Sequence, residues 1–149
     1  MEGHSTPVFD ISNCYGLDDT RDLLIRNVTL GGHLAPCFSL DREVKAEDTR
    51  RQVPYAVVLM RGHGFTAVAS TIQECVFRAI FTQKNAVVQT TTIELSAAYS
   101  QLTKDSGNVC YLCEDEIAPT AAMSNAVWNR AWGSWVGQIE AENLYIHEQ

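Results

Sequence analysis

One histidine in this chain is framed by glycine on both sides, in Arg61-Gly62-His63-Gly64. Imidazole changes charge within the physiological pH range and is a common metal ligand, so a rigidly held histidine can move a proton or bind a cation. Glycines beside it allow backbone angles that other residues disfavour, and they let a ligand approach closely. On spacing alone the plainer reading is favoured, a turn residue bonded to a neighbouring carbonyl, because a lone histidine is weak evidence for a ligand. Asp10 is a second group able to face a pocket, although an aspartate in such a position more often caps a turn. Cys110-x-x-Cys113 has the spacing of a redox pair or half a zinc site. No second pair follows it, and it lies in the short apolar segment NVCYLCEDE rather than at a strand-to-helix junction, so a structural role is favoured. Glu114-Asp115-Glu116 reads as a solvated acidic patch, since three adjacent acids point in different directions. Neither Lys45, Lys84 nor Lys104 lies in an apolar pocket sequence, which leaves no Schiff-base candidate.

The stretch that must position His63 is Pro54–Gln89. Ala56–Met60 is an apolar, β-branched run and reads as a strand; Phe65–Ala69 reads as its return after a sharp glycine turn. Ser70 and Thr71 are candidate N-caps, with Gln73 and Glu74 three residues after each, as in a capping box. Ile72, Val76, Ala79, Ile80, Gln83 and Val87 follow at helical spacing, so one stripe of that helix is expected to lie on the sheet. The helix is expected to run past Thr90-Thr91-Thr92 toward Tyr99. Upstream, Pro7–Ile11 reads as a short strand. Asp18, Asp19 or Thr20 then caps a helix whose inner face carries Leu23, Leu24, Asn27, Val28 and Gly31, with His33 at its C-terminal end, where the helix dipole favours a protonated imidazole. Ser39–Val53 reads as a charged, exposed connection. Pro119 suits the first position of a last helix, on which Trp128, Trp132 and Trp135 share a face with Val136 and Ile139.

Pro54–Gln89 resembles the class II aldolase/adducin family, whose chains carry an apolar strand, His-Gly, a second strand and a helix. The resemblance continues in TPVFDI (Thr6–Ile11) and DLLIRNVTLGGHLA (Asp22–Ala35), and RAWGSWVGQIEAENLYI (Arg130–Ile146) looks like the C-terminal tail of fungal members. It implies one α/β domain over residues 1–149, a three-layer α/β/α arrangement around a central, mainly antiparallel sheet. It also implies that His63 corresponds to one of three zinc-binding histidines. The family's other two form a His-x-His pair upstream of the TPVFDI-like segment, with an acidic residue further upstream. This chain contains no His-x-His: His4, His33, His63 and His147 stand far apart. The resemblance therefore describes an N-terminally truncated member with an incomplete zinc site, and gives His33 no metal role. Residues near the C-terminus of one family subunit reach a neighbour's site, which makes Tyr145 a substrate-binding candidate beside Asp10.

Composition narrows the partners. A chain of 149 residues is one domain's worth, and its formal net charge of −7 argues against nucleic acid or an anionic membrane surface. No stretch has the length of a transmembrane helix and no secretory signal pattern opens the chain, so a cytoplasmic protein is expected. Five cysteines without such a signal argue against a disulfide framework. The resemblance implies a lyase-like enzyme, most simply a homo-oligomer (a tetramer in the family), acting on a small carbonyl compound. The reaction would be C–C cleavage, decarboxylation or isomerisation through an enolate, with a divalent metal or with no cofactor. Two other readings stay open: metal-free acid–base chemistry by His63, and a non-catalytic, degenerate aldolase-fold subunit or interaction module.

Overall fold

The computed structural model describes residues 5–39, 53–103 and 109–142. The fold is mixed α/β and divides into two compact units, Met1–Ala69 and Ser70–Gln149, each described by itself. The expected connection Ser39–Val53 lies, apart from its two end residues, outside the described residues.

In the first unit three strands form one sheet in the order β1 (Val8–Phe9), β2 (Val57–Met60), β3 (Gly64–Ala67). β2 and β3 make the expected antiparallel hairpin, with Met60 opposite Gly64 and Val57 opposite Ala67. β1 instead runs parallel to β2, Val8 opposite Leu59, so the described sheet is mixed. The hairpin turn requires its glycines. Gly62 has φ +70° and Gly64 φ +140°, values that side chains with a Cβ disfavour. The strands follow the period-two rule: Val58 and Met60 are buried, whereas Leu59 between them is exposed.

The helix expected from about Thr20 does not start there. Asp19 accepts from the Gly16 N–H at 2.8 Å and from the Asn27 side-chain amide at 2.9 Å. Asp22 accepts from the Leu24 N–H at 3.1 Å. Such local bonds compete with the helical ladder, and Leu23 lies at φ +68°, outside helical geometry. The helix, α1, is Val28–Leu34, and Asn27 is its N-cap rather than part of its inner face, accepting from the Leu30 N–H at 2.8 Å. Leu30 and Leu34 then pack with Phe9, Ile11, Phe38, Val58 and Met60 into the core of this unit.

The second unit contains α2 (Ile72–Thr103) and α3 (Glu114–Ala141). The capping box falls at Thr71: its hydroxyl accepts from the Glu74 N–H at 3.2 Å, and the Glu74 carboxylate accepts from the Ser70 N–H at 3.3 Å. α2 continues through the three threonines, whose hydroxyls donate to carbonyls four residues back at 2.8–3.0 Å. The expected apolar stripe is not buried at its ends, since Ile72 and Val87 are exposed. α3 begins five residues before Pro119, so that proline lies inside the helix rather than at its start. Its first turn is fixed instead by Glu116, whose carboxylate accepts from the Cys113 N–H at 2.9 Å and is thereby held below the usual carboxylate range. Trp135 reaches Phe77 with ring centroids 6.2 Å apart, and Phe77 reaches Phe81 at 4.4 Å. The tryptophan face is thus half-buried against α2, while Ile139 stays exposed.

Two substitutions test this account of the first unit. Leu30→Ala removes a side chain only 1% exposed and is expected to cost about 2–5 kcal/mol in denaturant unfolding. Gly62→Ala places a Cβ at positive φ and 3.3 Å from Leu23 Cδ1, and is expected to cost about 1–2 kcal/mol.

Candidate functional site

The hairpin presents His63 as the spacing led one to expect. Its backbone N–H donates to the Met60 carbonyl at 3.1 Å, which closes the turn, and the residue is exposed. The backbone just before it is tied to β1, because the Arg61 N–H donates to the Phe9 carbonyl at 3.0 Å.

Arg61 also reaches Asp10. Its Nε lies 2.8 Å from Asp10 Oδ1, the oxygen that accepts from the Ser12 hydroxyl at 2.7 Å and the Ser12 N–H at 2.9 Å. Asp10 therefore does both things weighed for it. It caps the 3-10 turn Ile11–Asn13, and it lines a cavity. The Ser12 hydroxyl, the Arg61 guanidinium and the Ser12 N–H together pull its pKa from 3.8 to about 2. Asp10 is consequently ionised at neutral pH and serves as a fixed anion rather than a proton donor.

The cavity, about 660 Å³, runs along β1 from Pro7 to Asp10. Asp10, Asn13, Cys14, His33, Cys37 and Tyr55 are among the residues that line it; His63 is not. His33 stands on the last turn of α1, placed there by the Asn27 cap and by the burial of Leu30 and Leu34 one helical face away. Tyr55 is held by its N–H, which donates to the Phe38 carbonyl at 3.2 Å. The sequence pattern places His33 at the C-terminal end of its helix, where it is found, but assigns no site role to it, to Cys37 or to Tyr55, because nothing in their local spacing joins them. A histidine on the final turn of a short helix was the one available signal. Tyr145 lies outside the described residues.

The zinc implied by the family resemblance does not fit the donors at hand. Among the described residues no three His, Cys, Asp or Glu side chains group closely enough to hold a metal ion. Cys110 and Cys113 are exposed and Cys14, Cys37 and Cys75 half-buried, and none of the five is in a disulfide. Among the described residues no helix is long and apolar enough to cross a membrane.

Along almost its whole length the chain is similar to a fungal decarboxylase. That relative is decarboxylase tropJ of Talaromyces stipitatus, 46% identical over 145 residues, which cover 97% of this chain and 52% of the relative. The chain thus spans about half the length of the curated relative it matches. No family model and no solved structure matches the chain.

The Asp10 anchor has a pH signature. A carboxylate whose pKa is lowered on folding stabilises the fold fully above the unfolded value of 3.8, and that contribution is lost as pH falls through about 2. Asp10→Asn is therefore expected to lower Tm by a constant amount at pH 5–7. The gap between the two proteins should narrow as thermal melts are repeated toward pH 2. A gap independent of pH across that window would contradict the anchored-carboxylate account.

Proposed function

We propose that this chain carries part of the active centre of a lyase of class II aldolase type, with decarboxylation of a small carbonyl acid as its reaction. The observation that supports decarboxylation is the 46% identity with a decarboxylase over 97% of the chain, while the aldolase type rests on the resemblance of Pro54–Gln89 alone. The exposed imidazole of His63, on a turn tied to two strands, is its chemical support.

In such a reaction the bond between the carboxylate carbon and its neighbour breaks, and carbon dioxide leaves. The electron pair passes into the adjacent carbonyl as an enolate, and the same carbon then takes up a proton. His63 in its protonated form delivers that proton and regains one from solvent, which is general acid catalysis by a positioned imidazole. The described residues do not supply the donor set of a divalent metal, so the proton step above uses this chain's own group alone. A homo-oligomer is part of this reading, as the means by which a second subunit would add groups to the site.

The test is carbon dioxide release from β-keto acids by the purified protein, with metal content and oligomeric mass measured on the same preparation. His63→Ala is expected to lose about 100-fold or more in kcat while keeping the circular dichroism spectrum of the parent. Loss of bound metal in the same variant would assign His63 to a metal site. Loss of turnover in protein that is metal-free from the start would assign it to acid–base chemistry. A folded protein without turnover on any β-keto acid would overturn the lyase reading in favour of a non-catalytic subunit.

A further inference from the structure

Resting on the lyase reading, we propose that the cavity beside β1 is the substrate pocket, that it takes a small carboxylated carbonyl compound, and that His33 contacts the substrate. Three observations on different levels converge on it.

The first is placement. The cavity runs along the whole of β1, from Pro7 to Asp10, and against the last turn of α1 at Gly32 and His33. The second is size. A cavity of about 660 Å³ falls inside the range of small-molecule sites, roughly 300–1,000 Å³.

The third is chemistry. Imidazole, amide and phenol groups at His33, Asn13 and Tyr55 are of the kind that orient carboxylate and carbonyl oxygens, whereas Pro7, Val8 and Pro36 supply apolar wall. The negative charge in the wall, Asp10, is matched by Arg61 at 2.8 Å, so an anionic ligand does not meet an uncompensated carboxylate. The other cavity, about 550 Å³ in the second unit, is lined by Val88, Tyr111 and Leu112, and its carboxylate, Glu116, is committed to the Cys113 N–H.

The cysteines provide a readout independent of turnover. Cys14 and Cys37 line the cavity, whereas Cys110 and Cys113 lie exposed in the other unit. Alkylation by N-ethylmaleimide is followed by peptide mass spectrometry with and without benzoylacetate, acetoacetate or 2-hydroxybenzoate. At least one of these acids is expected to slow labelling of Cys14 and Cys37 about fivefold or more and to leave Cys110 and Cys113 unchanged. His33→Ala is expected to abolish that protection and raise KM about tenfold. His33→Gln, which keeps a hydrogen-bonding group, should restore part of both.

His63→Ala is expected to keep the protection while losing turnover. Protection without carbon dioxide release from the parent would sink the lyase reading and leave the pocket standing. Absence of protection by all three acids, equal protection of all four cysteines, or full protection in His33→Ala would overturn the pocket itself.

Discussion

The pairing of β1 with β2 is the constraint on which the rest of the first unit depends, and Arg61 closes it twice. Its N–H donates to the Phe9 carbonyl, and its guanidinium pairs with Asp10 one residue further along. The ion pair is largely exposed, and such pairs contribute little net stability. Its importance is positional. Burial of Val58 and Met60 with Leu59 facing out admits one register only, because a slip of one residue would turn both core side chains to solvent. Once that register is set, Arg61 must arrive beside Asp10. The glycine turn must then project His63 from the same sheet edge.

Much of this was legible in the sequence, and the limits have physical causes. The hairpin could be read because two independent local signals agree, a continuous apolar, β-branched run and glycines where the chain must adopt positive φ. The cap of α2 was equally clear, since Thr71 and Glu74 satisfy backbone donors at fixed sequence offsets. The segment between Gly16 and Asn27 was not, because Asp and Asn bond equally well to a helix N-terminus or to a neighbouring loop amide. Here Asp19 and Asp22 took the loop amides, and Asn27 became the cap. The start of α3 misled for a related reason. Pro119 tolerates a first-turn position, but the Cys113 N–H found its acceptor in Glu116 upstream of it. The cavity lay beyond local reading altogether. Asp10, His33 and Tyr55 meet only after Leu30 and Leu34 have docked on β1 and β2, a long-range event with no spacing of its own.

The electrostatics of the edge divide the chemistry that the proposed lyase reading requires. Decarboxylation generates negative charge on carbon and carbonyl oxygen, so it needs an acid and a group to orient the departing carboxylate. Asp10 cannot be that acid, because the Ser12 hydroxyl and Arg61 hold its pKa at about 2 and stabilise its charged form. Its charge instead fixes Arg61, and through Arg61 the start of the glycine turn. In that reading the imidazoles of His63 and His33 are left as proton donor and substrate contact, and they sit on different elements. His63 rides on a hairpin whose backbone is bonded on both flanks, whereas His33 ends a seven-residue helix whose opposite face is buried. A rigidly presented acid and a substrate contact carried on a separate element can be altered independently. That independence is the structural reason why loss of turnover and loss of binding should separate between these two residues.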